Sequence, residues 1–250
     1  MLIDSHCHLL KSEYEDVDKE INIGISSGIT KMIINGYDVQ SSKEAALLSK
    51  KYKEVYAAVG IGPENIENVT DEDMKQIEEL VKEEKVVAIG EIGLDYYWTK
   101  ENKDKQIYVF KKMLFIAKKY NLPVIIHSRE SVSDIYNLVK EYNVTGIMHC
   151  YSGSTEMAKE FIKIGFLIGI GGVVTFKNAK RIKEVVETIS IDNISLETDS
   201  PYLSPEPFRG KKNNPKNITI IAEKIAEIKG ISYEEVCLKT SQNVASKFDL

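Results

Sequence analysis

Residues 1–9 read Met1-Leu-Ile-Asp-Ser-His-Cys-His-Leu9, a short apolar run that ends in two histidines two positions apart. In an extended strand, residues i and i+2 point to the same side, so His6 and His8 face one point in space. Two imidazoles aimed at one point are half of a metal site. The chain holds four histidines, and the other two also close apolar runs: Pro123-Val-Ile-Ile-His127 and Gly146-Ile-Met-His149. The first hypothesis is a metal centre assembled from strand ends.

Outward from this stretch, the same unit recurs. Leu2-Ile3 into His6 reads as the first strand, and Asp18 to Gly28 as a helix with a glycine stop. Lys31 to Gly36 is the second strand, followed by a capping-box pattern at Ser41 and Glu44. Val55 to Gly60 is the third, and Thr70 caps the helix after it. Val86-Val-Ala-Ile-Gly-Glu91 is the fourth, and the next helix carries Ile107, Phe110, Leu114 and Ala117 on one face before Asn121 and Pro123 end it. The strands ending in His127 and His149 are the fifth and sixth. Gly165 to Ile170 is the seventh and Ile194-Ser-Leu-Glu-Thr-Asp199 the eighth, each again followed by a helical pattern. Two helices close the chain, one starting at Asn214-Pro215 and one at Ser232 with Glu235 as a capping box.

Continuous apolar, β-branched strands alternating with helices imply a parallel sheet covered on both faces. Eight such units imply an α/β fold of the (β/α)8 TIM-barrel class, here with an extra C-terminal helix. An open doubly wound sheet is the competing arrangement. The barrel is favoured because the candidate ligands lie at the ends of strands one, four, five, six and eight. Only a closed ring brings the first and last strands side by side. No linker, low-complexity segment or short-period repeat interrupts the pattern, so residues 1–250 are expected to form a single domain.

Composition bounds the function. The chain has 250 residues, of which 43% are hydrophobic and 28% charged, with a formal net charge of −5. That balance fits a globular surface and gives no whole-molecule attraction to nucleic acid; a polyanion site must be a local basic patch or use bound metal. The three cysteines, Cys7, Cys150 and Cys237, form no disulfide framework, which favours the reducing cytoplasm. The N-terminus shows no secretory signal pattern, and the longest uncharged apolar run, Gly165 to Phe176, is too short to span a bilayer. Neither a membrane nor an obligate protein partner is expected.

The residues closing the strands are His6, His8, Glu91, His127, His149 and Asp199. In a (β/α)8 fold the carboxyl ends of the strands form the active face. Imidazoles and carboxylates are a mixed N/O donor set that suits Zn²⁺, Mn²⁺ or Mg²⁺. Six ligands exceed the three and a water of a single catalytic zinc and suit two divalent ions with Glu91 as the bridge. Two ions ~3.5–4 Å apart activate a water and stabilise the attacking and leaving oxygens of a phosphate ester. A lone strand histidine is more often a hydrogen-bonded core residue. All four histidines of a chain at strand ends is a different matter. Glu91 stands in an apolar run, where a carboxylate is costly without a partner. Cys7 and Cys150 neighbour ligands, but strand alternation points them away, as packing residues.

The motifs Asp4-Ser-His-Cys-His-Leu9, Gly90-Glu-Ile-Gly-Leu-Asp-Tyr96, Pro123-Val-Ile-Ile-His-Ser-Arg129, His149-Cys-Tyr-Ser-Gly153 and Glu197-Thr-Asp-Ser-Pro-Tyr-Leu203 resemble those of TatD-type metal-dependent deoxyribonucleases. So does Arg209-Gly-Lys211 with Asn214-Pro215, and the resemblance runs the whole chain in order. It implies a two-metal hydrolase of DNA phosphodiesters, trimming single strands 3′ to 5′. By the same resemblance, His6, His8, Glu91 and Asp199 would hold one ion, and Glu91, His127 and His149 the second. Asp199 would also orient or deprotonate the attacking water. The chain departs from the family pattern at Gly62 and Phe208, where members often have histidine, and at Leu10, where they often have aspartate. None of the three belongs to the six-ligand set.

Arg129, Arg209 and Lys211, with Lys212 and Lys216 nearby, are candidate phosphate contacts, and Tyr96 is a candidate for stacking on a base. Tyr97 and Trp98 read rather as loop packing. The alternative function is a two-metal hydrolase of the same barrel class acting on an amide, ester, lactone or aminoacyl-tRNA ester. Many amidohydrolases bridge their metals with a modified lysine from strand four, where this chain has Glu91. A metal-dependent scaffold does not account for Asp199, a candidate base added to a ligand set already sufficient for binding.

Overall fold

The structure, a computed structural model, describes residues 2–97 and 101–250; Trp98 lies outside the described residues. Its strands are β1 (Leu2–Cys7), β2 (Ile29–Asn35), β3 (Val55–Val59), β4 (Val86–Asp95), β5 (Val124–Arg129), β6 (Gly146–Met148), β7 (Leu167–Ile170) and β8 (Ile194–Leu196). They form one sheet in chain order, with parallel pairing. The helices are α1 (Val17–Ser26), α2 (Val39–Lys51), α3 (Asp71–Leu80), α4 (Lys103–Tyr120), α5 (Val132–Tyr142), α6 (Thr155–Lys163), α7 (Lys180–Thr188), α8 (Ile218–Lys229) and α9 (Tyr233–Phe248). This is the (β/α)8 class with an added C-terminal helix. Among the described residues, no helix is long and apolar enough to cross a membrane.

The chain packs as two compact units, residues 1–34 with 149–250, and residues 35–148. In the first, β1 has β2 on one side and the end of β8 on the other. The Ser5 hydroxyl donates to the Leu196 carbonyl at 2.9 Å, the Asp199 N–H to His6 at 3.0 Å, and the His8 N–H to Ser200 at 2.7 Å. First and last strands are therefore neighbours, as a closed ring requires. Helix α9 covers this junction with Val236, Thr240, Val244 and Phe248, all buried.

In the second unit, β3 to β6 carry α2 to α5. The β5 residues Val124, Ile125 and Ile126 have no solvent exposure, and α4 buries Val109, Phe110, Met113 and Leu114. Each such side chain contributes about 1.5–3 kcal/mol on leaving water. Asn121, at φ 53°, ends α4 in the left-handed conformation.

Several boundaries differ from the sequence reading: β8 ends at Leu196 rather than Asp199, and β6 at Met148 rather than His149. The capping box of α2 sits one turn early: the Asp38 carboxylate accepts from the Ser41 N–H at 2.7 Å, and the Ser41 hydroxyl accepts from the Asp38 N–H at 3.0 Å. Pro215–Asn217 is a 3-10 turn leading into α8. Strand β4 runs four residues past Glu91, so Glu91 lies inside the strand.

Both strands that carry early ligands are bulged. Asp4 pairs with Met32 but Cys7 with Ile34, and Ile89 pairs with Val124 but Ile92 with Ile126. Each time, one extra residue is inserted on the ligand-bearing strand, beside His6 and beside Glu91. A bulge bends the strand and re-aims the side chain at that position.

Candidate metal centre

In the first unit, four candidate ligands meet. His6, His8, His149 and Asp199 are all buried. The Nε2 atoms of His6 and His8 are 3.0 Å apart, so the two-residue spacing does aim both rings at one place. The rings of His6 and His149 stack with centroids 3.9 Å apart. Asp199 Oδ1 lies 3.5 Å from His6 Nε2 and 3.7 Å from His8 Nε2. Ligand atoms of His6, His149 and Asp199 all lie within 4.8 Å of one another. Asp199 is three residues past β8 at φ 55°, a left-handed conformation that aspartate tolerates better than most residues. Burial raises its pKa, but the hydrogen bond to His6 and the imidazoles of His149, His6 and His8 outweigh burial and hold the carboxyl below its usual range.

Two further carboxylates back this cluster. Asp4 is fully buried; its oxygens accept from the Thr198 hydroxyl at 2.6 Å, the Thr198 N–H at 2.9 Å and the His6 N–H at 3.3 Å. Burial, offset in part by these bonds, pushes its pKa up to about 7. Glu197, also fully buried, accepts from the Cys150 N–H and lies 3.5 Å from His149 Nδ1. Cys150 is not in a strand and sits at φ 42°, so alternation does not set its direction; its backbone N–H serves the site by donating to Glu197. Cys7 is buried with its thiol toward the Ile33 carbonyl, a packing role as expected.

In the second unit, His127 stands between two carboxylates. Its Nδ1 is 3.0 Å from Glu91 Oε1 and its Nε2 is 3.0 Å from Asp95 Oδ2. Asp95 is held in turn: Oδ1 accepts from the Tyr97 N–H at 2.9 Å, and the buried Gln106 side chain clamps the Asp95 backbone N–H and C=O, each at 2.8 Å. Burial raises the Asp95 pKa, but the His127 and Tyr97 bonds overcome it and lower it on balance. Gly93, at φ 152°, makes the close strand approach possible, since a Cβ there would sit 2.0 Å from the His127 carbonyl oxygen.

These donors fit a divalent cation. A neutral imidazole can donate from only one nitrogen, yet both nitrogens of His127 face carboxylate oxygens. Glu91 and His127 Nδ1 would hold a cation, and Asp95 would then fix the tautomer from the other side. In the first unit, the facing Nε2 atoms and the ionised Asp199 make a second cation-binding donor set. A protonated imidazolium would also donate to both carboxylates; a bound cation satisfies the same pair with the ring neutral.

The other expected residues fall variously. Arg129 ends β5 with its guanidinium 3.6 Å from the Tyr97 ring centroid. Arg209 lies 4.2 Å over the Phe176 ring, and Lys211 is exposed. Tyr96 is a correction: it is buried, its hydroxyl donates to Asp134 at 2.9 Å, and the Lys103 ammonium covers its ring, so it offers no face to a base. Tyr97, read as packing, is 52% exposed instead. Asp4, Asp95 and Glu197 lay in the quoted motifs without an assigned role. The signal that picked out Glu91, a carboxylate within an apolar run, picks out Asp4 and Glu197 equally.

Comparison with known proteins agrees with this geometry. Residues 3–249 match the family model described as TatD related DNase. The chain is 42% identical over 252 residues to the metal-dependent hydrolase YabD of Bacillus subtilis, covering 99% of each. It is 35% identical to the metal-dependent hydrolase YcfH of Escherichia coli, covering 100% of this chain and 96% of that protein. The crystal structure of the TatD homologue YjjV of Escherichia coli superposes with a TM-score of 0.91 at 26% identity, covering 100% of this chain and 98% of that one. The chain belongs to the TatD-related DNase family and is a metal-dependent hydrolase.

Proposed function

We propose that the protein is a deoxyribonuclease that hydrolyses DNA phosphodiesters, trimming single strands from the 3′ end. We propose that His6, His8, Glu91, His127, His149 and Asp199 act together as one centre for two divalent ions, Mg²⁺, Mn²⁺ or Zn²⁺. Two observations carry this reading: in the second unit His127 is held between two carboxylates, and in the first unit three imidazoles gather on one ionised aspartate. In a (β/α)8 fold, the carboxyl ends of all strands share the active face. When bound, the ions would supply an activated water and charge stabilisation at the phosphoryl oxygens.

The chain's own residues supply the rest. Asp199, kept ionised by its imidazole neighbours, accepts a proton from the attacking water at its carboxylate. Glu197 and Asp95 orient His149 and His127 from behind. Arg129, Arg209 and Lys211 bind phosphates and fix the strand's register. Three free cysteines support a reducing, cytoplasmic setting.

The test is a substrate panel with purified protein. Single-stranded DNA is expected to be degraded with added Mg²⁺ or Mn²⁺, and chelation is expected to stop it. Hydrolysis of a lactone, amide or carboxylic ester with DNA left intact would overturn the DNA reading and favour the alternative.

A further inference from the structure

We infer that the loop of residues 200–213, between β8 and α8, is a base-stacking shelf on which Tyr202 takes the face of a nucleobase next to the scissile phosphate. This deepens, and rests on, the DNA reading above. Three large apolar side chains of this loop are open to solvent: Tyr202 at 47%, Leu203 at 41% and Phe208 at 39% exposure. Exposed aromatic and aliphatic side chains grouped in one segment mark an interaction surface.

The exposure is not the product of a loose loop. The Asn213 side-chain amide donates to both the Thr198 and the Tyr202 carbonyls, at 2.7 and 2.8 Å. The Ser204 hydroxyl donates to Lys211 at 2.7 Å, and the Tyr202 N–H donates to Asp199 at 2.7 Å. Gly172 lets the loop close in, because a Cβ there would lie 2.1 Å from the Leu203 carbonyl oxygen. Backbone so tightly fixed presents its side chains ready for a ligand and lowers the ordering cost of binding.

Position and charge select the occupant. The Tyr202 ring stands 6.0 Å from the His8 ring at 65°, so it borders the first-unit cluster. Residues 200–213 contain Arg209, Lys211 and Lys212 against a single acid, Glu206. Arg209, Lys211 and Lys212 are all exposed, with Lys212 reaching the Glu13 carbonyl and the Tyr14 ring and Arg209 lying over the Phe176 ring. A planar apolar group joined to an anionic backbone matches this surface. A single-stranded oligodeoxynucleotide has both, one base per phosphate.

The experiment measures binding by fluorescence anisotropy in Mn²⁺, using a labelled oligothymidylate with cleavage-resistant phosphorothioate links. A second ligand has an abasic site as its 3′-terminal nucleotide. Wild type is expected to prefer the base-bearing ligand by about five- to a hundredfold. Tyr202→Ala is expected to lose most of that preference, and Tyr202→Phe to keep it, with metal content and thermal midpoint matched among the three. Should Tyr202→Ala discriminate as well as wild type while wild type cleaves DNA, the shelf is wrong and the nuclease reading stands. Should wild type neither bind nor cleave DNA with any metal, both fall.

Discussion

The two ligand clusters solve one problem in opposite ways. In the first unit, three imidazoles surround one ionised carboxylate, and backbone hydrogen bonds between β1 and the turn after β8 fix the ligands. In the second, one imidazole sits between two carboxylates at a strand bulge, and a side chain, Gln106, does the fixing. With Asp4 and Glu197 counted, the first cluster has one carboxylate per imidazole, and its carboxylates accept backbone and side-chain hydrogen bonds that hold its shape. The second carries excess negative charge close to one ring and gains more from a cation. The general lesson is that donor charge, more than donor number, decides how far a site leans on its ion.

The largest effect expected is at Asp199. Asp199→Asn keeps the shape but removes both the negative charge and the proton acceptor. A fall in kcat of roughly 10²–10⁴ is expected, the range for loss of a general base. Single-turnover cleavage with metal in excess would measure it. Activity within tenfold of wild type would make the first cluster purely structural and erase the contrast.

Removing metal tests the contrast directly. Chelation is expected to lower amide protection, read by hydrogen exchange, by about tenfold more at Asp95 and Tyr97 than at His8 and Asp199. The latter two amides are bonded to backbone carbonyls, whereas those of Asp95 and Tyr97 depend on the Gln106 and Asp95 side chains. Equal loss at both places would mean that the clusters respond as one unit.

How much of this was legible follows the range of the interactions involved. The alternation of apolar strands and helices is local, and it placed all eight strands. The imidazoles stood out because the chain has few of them and all close apolar runs. The partners of those imidazoles did not stand out, because Glu197 reaching back to Cys150 and His149 is a contact between distant residues. The length of β4 was hidden for a local reason. Gly93 and Asp95 are residue types depleted in strands, while the fold uses Gly93 for the close approach to His127. That error also misplaced the tyrosines. Once the strand runs on to Asp95, Tyr96 turns inward and Tyr97 outward, and nothing in Tyr96-Tyr97 itself tells them apart.

A smaller effect is expected behind the second cluster. Asp95→Asn offers His127 an amide where it had a charged acceptor, so the Nδ1 lone pair is no longer held toward Glu91. Metal affinity is expected to fall about 10–100-fold, the usual cost of losing a ligand's supporting partner. Calorimetric titration with Mn²⁺ gives the number. Glu197→Gln behind His149 is expected to cost less, because the Glu197 oxygen stands at 3.5 Å from that ring rather than 3.0 Å. A larger loss for Glu197→Gln would reverse the ranking of the two clusters.

The smallest effect separates substrate binding from metal binding. Arg129 ends the strand that carries His127, and its guanidinium rests on Tyr97 with no contact to the ion site required. As a phosphate contact, it should contribute to affinity through counterion release and leave metal affinity alone. Arg129→Ala is expected to raise KM for oligodeoxynucleotides several-fold and to reduce the slope of log affinity against log salt by about 0.7, as for one phosphate contact on a single strand. The Mn²⁺ titration should be unmoved. If Arg129→Ala instead weakens Mn²⁺ binding with the salt slope unchanged, then the guanidinium supports Asp95 electrostatically, and the second cluster depends on one more side chain than its geometry suggests.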